Sequence, residues 1–234
     1  MRTGTPRTPG IEALVERQAE RWRLAAQQQQ HAAHPPVPQP QPCIAFSQLA
    51  FSGGDAVATR VAARLDFGLF DQAIVGEIAR RRGIHESLVV DLDERVRGVI
   101  ERYVTDAFHH HGLTEDQYMR QAIRVVSTIA QRGRAVLVGR GAPFILAPQH
   151  TLRVLVVASP TVRVQRCATA GSLSLDQARA QVAEDDRQRH DFLSFHFRIR
   201  QDDPSLYDVT LNTDHLAVDE AAQVVVDLFR RRFP

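Results

Sequence analysis

An apolar run ending at Ser47 passes through Gln48-Leu49-Ala50-Phe51 into Ser52-Gly53-Gly54-Asp55, and a stretch of helical period follows. Strand, small-residue turn and helix in that order are the layout of a phosphate-binding loop. Its glycines let successive backbone N–H groups aim at phosphate oxygens, and the helix N-terminus adds partial positive charge. Against the pattern G-x-x-x-x-G-K-[ST], Gln48 takes the first glycine, Gly53 the second, Gly54 the lysine and Ala56 the hydroxyl position. The same turn also serves as a generic strand-to-helix connection. The chain has no lysine, so all 29 of its basic side chains are arginines. Codon usage in a GC-rich genome explains that as readily as function does. Either way, phosphate chemistry here falls to guanidinium forks and main-chain amides.

The elements that must position this loop alternate. Residues 43–47 read as a strand and 54–65 as a helix with Val57, Val61, Ala62 and Leu65 on one face. A brief strand at 67–71 precedes a helix from Gln72 that Gly83 stops. Two longer helices span 89–112 and 114–133, the second with Thr114 as N-cap. The continuous apolar runs 135–139 and 152–158 suit strands buried on both faces. Helices 160–170 and 174–190, an irregular stretch, the strand 209–212 and a closing helix 218–232 complete the order. Alternating strand and helix implies a parallel sheet with right-handed crossovers and a ligand crevice at the carboxyl ends of the strands. The loops after Ser47, Asp71, Gly139, Ala158 and Asn212 are therefore where function is expected.

Residues 1–42 differ in kind from the rest. Ile11, Leu14, Val15 and Trp22 mark a short amphipathic helix, and a Gln run and Pro-rich tract follow it up to Pro42. The helix is expected either to dock, on the main domain or on a partner, or to stay disordered. The organisation is thus an N-terminal helix plus linker, 1–42, and a compact domain, 43–234.

Twenty-nine basic against 27 acidic residues leave a formal charge of +2, which argues against a nucleic-acid or membrane-surface role. The first residues lack the apolar core of a signal peptide, and no segment is long and apolar enough to span a bilayer, so a cytoplasmic location is expected. Cys43 and Cys167 fit no metal-ligand spacing and read as small core or helix-face residues in a reducing compartment. His109, His110 and His111 point different ways on a helix and cannot ligate one ion together.

Five ordered segments, "FGLFDQAIVGEIARRRGI", "AVLVGRGAPFIL", "SPTVRVQR", "AEDDRQRHDF" and "DDPSLYDVTLNT", together resemble the cytidylate kinase-like proteins, relatives of the P-loop nucleoside monophosphate kinases. The resemblance runs from 43 to 232. It implies a P-loop NTPase-type α/β/α three-layer sandwich with a mainly parallel five-stranded sheet and a helical lid. It also implies transfer of the ATP γ-phosphate to a CMP- or dCMP-like acceptor, with Mg²⁺. That family itself carries glycine at the lysine position, so Gly54 is typical of it; Gln48 in place of its arginine and Phe51 in place of a loop glycine are departures.

What the resemblance implies for residues is the following. Amides of Ser52, Gly53 and Gly54 cradle the β-phosphate, and Asp55 is the acidic side chain nearest a metal. Arg140 grips the acceptor phosphate, near Asp71, which also fits as a helix N-cap. Arg163 and Arg166 lead into the lid and contact phosphates or adenine, or else form a solvated helix face. Asp186, Arg187 and Arg189 act on the transferring phosphoryl group, or else form exposed ion pairs. Asp208 and Asn212 shape the last strand. Phe192, Phe195 and Phe197 are expected to pack the lid helix onto the core rather than to stack on a base. The loop departures leave a second reading open: a catalytically impaired nucleotide-binding or regulatory pseudokinase, whose partners are still small-molecule nucleotides.

Overall fold

The computed structural model describes residue 20, residues 41–71, 75, 98, 100, 117–139 and 141–234. The N-terminal helix, the helices expected at 72–83 and 89–112, the Thr114 cap, the three histidines and Arg140 lie outside the described residues.

Five parallel strands form one sheet: β1 (Cys43–Gln48), β2 (Gly68–Phe70), β3 (Ala135–Val138), β4 (Thr151–Val157) and β5 (Val209–Asn212), in the order β2-β3-β1-β4-β5. Ile44 pairs in register with Val136 on one side and Leu152 on the other, so β1 is central. The helices are α1 (Gly54–Leu65), α2 (Gln117–Arg132), α3 (Ala142–Ile145), α4 (Pro160–Gly171), α5 (Leu175–Phe197) and α6 (Val218–Arg232).

Why the sheet is covered on both faces follows from strand periodicity. Cys43, Ala45, Ala135 and Leu137 join one buried cluster with α2, α3 and the end of α5, whereas Ile44, Phe46, Val136 and Val138 join another with α1 and α6. Alternate residues thus feed opposite layers, which is why the runs are continuously apolar. The result is the three-layer α/β/α sandwich of a P-loop fold.

Two elements differ from expectation. The helix expected at 174–190 runs on to Phe197, because Leu193 and Phe197 are buried against the core and lock down its last two turns. The one-turn α3 was not anticipated; Gly141, at φ 71°, starts it, and an added Cβ there would strike the Phe197 ring. Helices α4 and α5 pack as a hairpin, with Ser159 capping one and a Ser174–Gln177 capping box starting the other. Among the described residues no helix is long and apolar enough to cross a membrane.

Candidate functional site

The chain leaves β1 toward the face covered by α1 and leaves β3 toward the opposite face, covered by α3. A crevice must open where adjacent strands send their loops to opposite sides. There the structure has a cleft of about 580 Å³, within the roughly 300–1,000 Å³ usual for small-molecule sites. Ser47 and Gln48 line it from β1, Val138, Gly139 and Gly141 from β3 and its loop, and Pro143 and Phe144 from α3. The lid helix α5 adds Asp185, Gln188, Arg189, Phe192 and Leu193, and Asp55, Asp71 and Gln201 complete the wall.

The loop between β1 and α1 meets this cleft. Gly53 is the α1 N-cap at φ 84°, a left-handed conformation that suits glycine, and no side chain caps the helix. Ser52 N–H donates to Leu49 O, so that amide is not free to cradle a phosphate as expected. Among the described residues no acceptor stands opposite the N–H groups of Gly53, Gly54, Asp55 and Ala56, and these are the donors that remain. Ser52 is fully buried and its Oγ lacks a hydrogen-bond partner. The residues present therefore fit a polyphosphate: four unspent amides, an orphaned hydroxyl and a helix dipole converge at one turn.

Gln48 explains how the turn lives without a lysine. Its side chain lies directly over Gly54, where a Cβ would collide with the Gln48 Oε1, Cβ and Cδ atoms. The space a residue-54 side chain would need is thus already taken. Phe51 adopts φ 58°, strained for a residue with a Cβ, but its ring packs between the lid helices against Val164, Cys167, Ala168, Ala178 and Val182. It does not line the cleft.

The arginines divide. Arg163 is 6% exposed; its Nη1 donates to Asp186 Oδ2 at 2.6 Å and to Ala50 O at 3.3 Å. Asp186 Oδ1 accepts from Ala50 N–H at 3.1 Å, closing a three-way clamp of α4, α5 and the loop. Arg166 donates to Ser52 O, Thr213 Oγ1 and Thr213 O at 2.8–2.9 Å, and Thr213 Oγ1 donates to Ser52 O at 2.6 Å. Arg163, Arg166 and Asp186 therefore stand behind the phosphate turn and fix its carbonyls, instead of facing the cleft. Arg187 is on the solvent side of α5, bound to Glu184 and Asp191. Of the arginines singled out, Arg189 lines the cleft, and its guanidinium makes one hydrogen bond, a 3.4 Å contact to Asp185 O.

Other expectations sort by packing. Asp208 accepts from Arg153 N–H and pairs with Arg232, and Asn212 Oδ1 accepts from Asp214 N–H; both shape β5 and its loop. Phe197 is core, Phe195 is exposed, and Phe192 lines the cleft beside Phe144. Sequence reasoning missed Ser47, Phe144, Gln188 and Gln201. Gln201 lies in a stretch without periodicity, and only its burial marks it. Both cysteines are buried and free; burial pushes the Cys43 thiol up to about 11, and burial with nearby Asp185 raises Cys167. Among the described residues no three His, Cys, Asp or Glu side chains gather around a common metal position.

A model of the cytidylate kinase-like family matches residues 43–215, most of the chain. The cytidylate kinase of Pyrobaculum aerophilum is 29% identical over 121 residues, 51% of this chain and 65% of that protein. That of Cutibacterium acnes is 30% identical over 114 residues, 48% of this chain and 49% of the relative. The chain thus covers less than two thirds of the length of these relatives. An uncharacterized protein from Eubacterium ventriosum superimposes at a TM-score of 0.65 and 18% identity, covering 82% of this chain and 99% of its own, a likeness of fold.

Proposed function

The chain belongs to the cytidylate kinase-like family, and from that premise we propose that it transfers the ATP γ-phosphoryl group to a nucleoside monophosphate of the CMP or dCMP type. The observation that carries this reading is the turn at Gly53–Ala56, whose N–H groups meet no acceptor among the described residues and whose Asp55 lines, together with Arg189, a cleft of substrate size. In the transfer, the bond from the β–γ bridging oxygen to the γ-phosphorus breaks. A bond from an acceptor phosphate oxygen to that phosphorus forms, and ADP leaves.

Such chemistry asks mainly for positioning and for positive charge around the moving group. The turn amides hold the β-phosphate, and the Arg163–Asp186 and Arg166–Thr213 bonds keep those amides convergent by fixing Ala50 and Ser52 from behind. Arg189 brings a guanidinium to the cleft from the lid. Phe144 and Phe192 supply an apolar wall for a planar base, and Asp71 stands at the tip of β2 on the acceptor side. Arg140, placed on the acceptor phosphate, belongs to the same proposal on the strength of the resemblance alone. A Mg²⁺ ion, which would screen the phosphate charge, has Asp55 as the carboxylate beside the turn and otherwise relies on phosphates and water.

A second reading, nucleotide binding without turnover, draws on one observation. Arg163 and Arg166 are committed to internal bonds, so the described cleft holds Arg189 against Asp55, Asp71 and Asp185. The two readings separate in one experiment. ADP release from ATP, Mg²⁺ and CMP that collapses in Arg189→Ala and persists in Arg187→Ala supports the kinase. A thermal shift with ATP and no ADP release with any nucleoside monophosphate supports the binding protein. No shift with ATP overturns both.

A further inference from the structure

Gln201 is polar, 7% exposed, and part of the cleft wall. Its Nε2 donates to Ser47 Oγ and to Gln48 O, both at 2.8 Å. A main-chain carbonyl only accepts, so the amide end of the carboxamide must face Gln48 and the orientation is settled. The Tyr207 hydroxyl donates to Gln201 O at 3.1 Å. Both protons of the Gln201 carboxamide nitrogen are spent on Ser47 and Gln48.

The Gln201 Oε1 atom is left over. Among the described residues it accepts from no group, and it is not among the buried atoms lacking a partner, so we read the exposure that Gln201 retains as facing the cleft it lines. A locked carbonyl oxygen there repels phosphate oxygens, which are acceptors too, and attracts a ligand N–H or O–H. Phe144, on the same cleft, contacts Tyr207 at 5.7 Å between ring centroids, and Tyr207 bonds the Gln201 main chain, which places the apolar wall near Gln201.

We propose that Gln201 reads the nucleoside part of the acceptor, its oxygen accepting a hydrogen bond from the base or the sugar and taking no part in phosphate binding. The proposal rests on the nucleotide reading above and adds a residue and a ligand group to it. A positioned acceptor of this kind rejects a partner that lacks the donor far better than an apolar wall can.

The test is calorimetric titration of the full chain and of Gln201→Leu and Gln201→Glu with CMP, dCMP, UMP and inorganic pyrophosphate. Gln201→Glu keeps an acceptor but loses the N–H that fixes it. The expected result is a loss of about tenfold or more in CMP affinity in both variants, with pyrophosphate affinity not reduced in Gln201→Leu, the variant that adds no charge. If dCMP binds the wild type as CMP does and UMP binds weakly, the base is the donor; if dCMP is the weak ligand, it is the 2′-hydroxyl. Equal losses for CMP and pyrophosphate would mean that Gln201 only shapes the loop, and unchanged CMP affinity would mean that it reads nothing. Either overturns the inference while leaving the nucleotide reading intact. Wild-type protein that binds pyrophosphate but no nucleoside monophosphate overturns both.

Discussion

Removing the Asp186 carboxylate should loosen the phosphate turn and destabilise the fold together, since one side chain serves both. In Asp186→Ala, Arg163 keeps a single 3.3 Å contact to Ala50 O, and its Nε is already buried without a partner. Stripping one member from a buried ion pair costs about 3–5 kcal/mol. The Asp186 side chain is 29% exposed, so water reaches the gap and the expected loss is nearer about 2–3 kcal/mol. For a chain of this size that lowers the melting temperature by about 5–10 °C. Asp186→Asn preserves an acceptor for Ala50 N–H and should lose about half as much. Combining Arg163→Met with Asp186→Ala removes the stranded charge, so the double variant should be more stable than Asp186→Ala alone. Urea denaturation measures all three, and hydrogen exchange at the Ala50 amide reports the loop directly. An Asp186→Ala protein within about 0.5 kcal/mol of wild type, with Ala50 still protected, would refute the clamp.

Four further outcomes follow from the same geometry. Gly54→Lys alone should not strengthen ATP binding, because Gln48 occupies the room the new side chain needs; with Gln48→Gly the affinity should rise, as titration with ATP will show. Gly141→Ala combines a left-handed backbone with a collision against Phe197 and should cost roughly 2–5 kcal/mol in urea unfolding. Glu184 is held down at about 2 by the hydrogen bond from Arg187, then by Gln188. Its folded value lies below the unfolded one, so its contribution is present above the ordinary carboxylate range and disappears as pH falls through about 2; an NMR titration of the Glu184 side chain reads this, and Arg187→Ala should return it toward the ordinary value. Cys43 and Cys167 should stay unreactive toward a disulfide reagent at pH 8 in the native protein, since burial holds both as neutral thiols, and should react on unfolding.

Much of the architecture was legible because strands and helices write their periods into residue order. Cys43–Gln48, Ala135–Val138, Val209–Asn212 and Val218–Arg232 stand where alternation and apolar runs place them. The end of α5 was not legible. The cluster of aromatic residues from Phe192 to Phe197 obscures a helical stripe, and the last turns exist because Leu193 and Phe197 reach a core built by distant strands. Among site residues, the glycine turn announced itself locally. The fates of the arginines did not: one helical turn separates Arg163 from Arg166, yet one finds Asp186, 23 residues on, and the other Thr213, 47 residues on.

The order of residues by itself determined the family, the layered sheet and the presence of a lysine-free glycine turn between the first strand and its helix, since each depends on neighbours in the chain. Tertiary structure alone decided which charges face the cleft. It sent Arg163, Arg166 and Asp186 behind the turn, left Arg189 on the cleft and bonded Gln201 to Ser47, 154 residues away, at the cleft wall. The physical reason is that a side chain's role follows from the partners that satisfy its donors and acceptors once buried, and chain distance does not encode those partners.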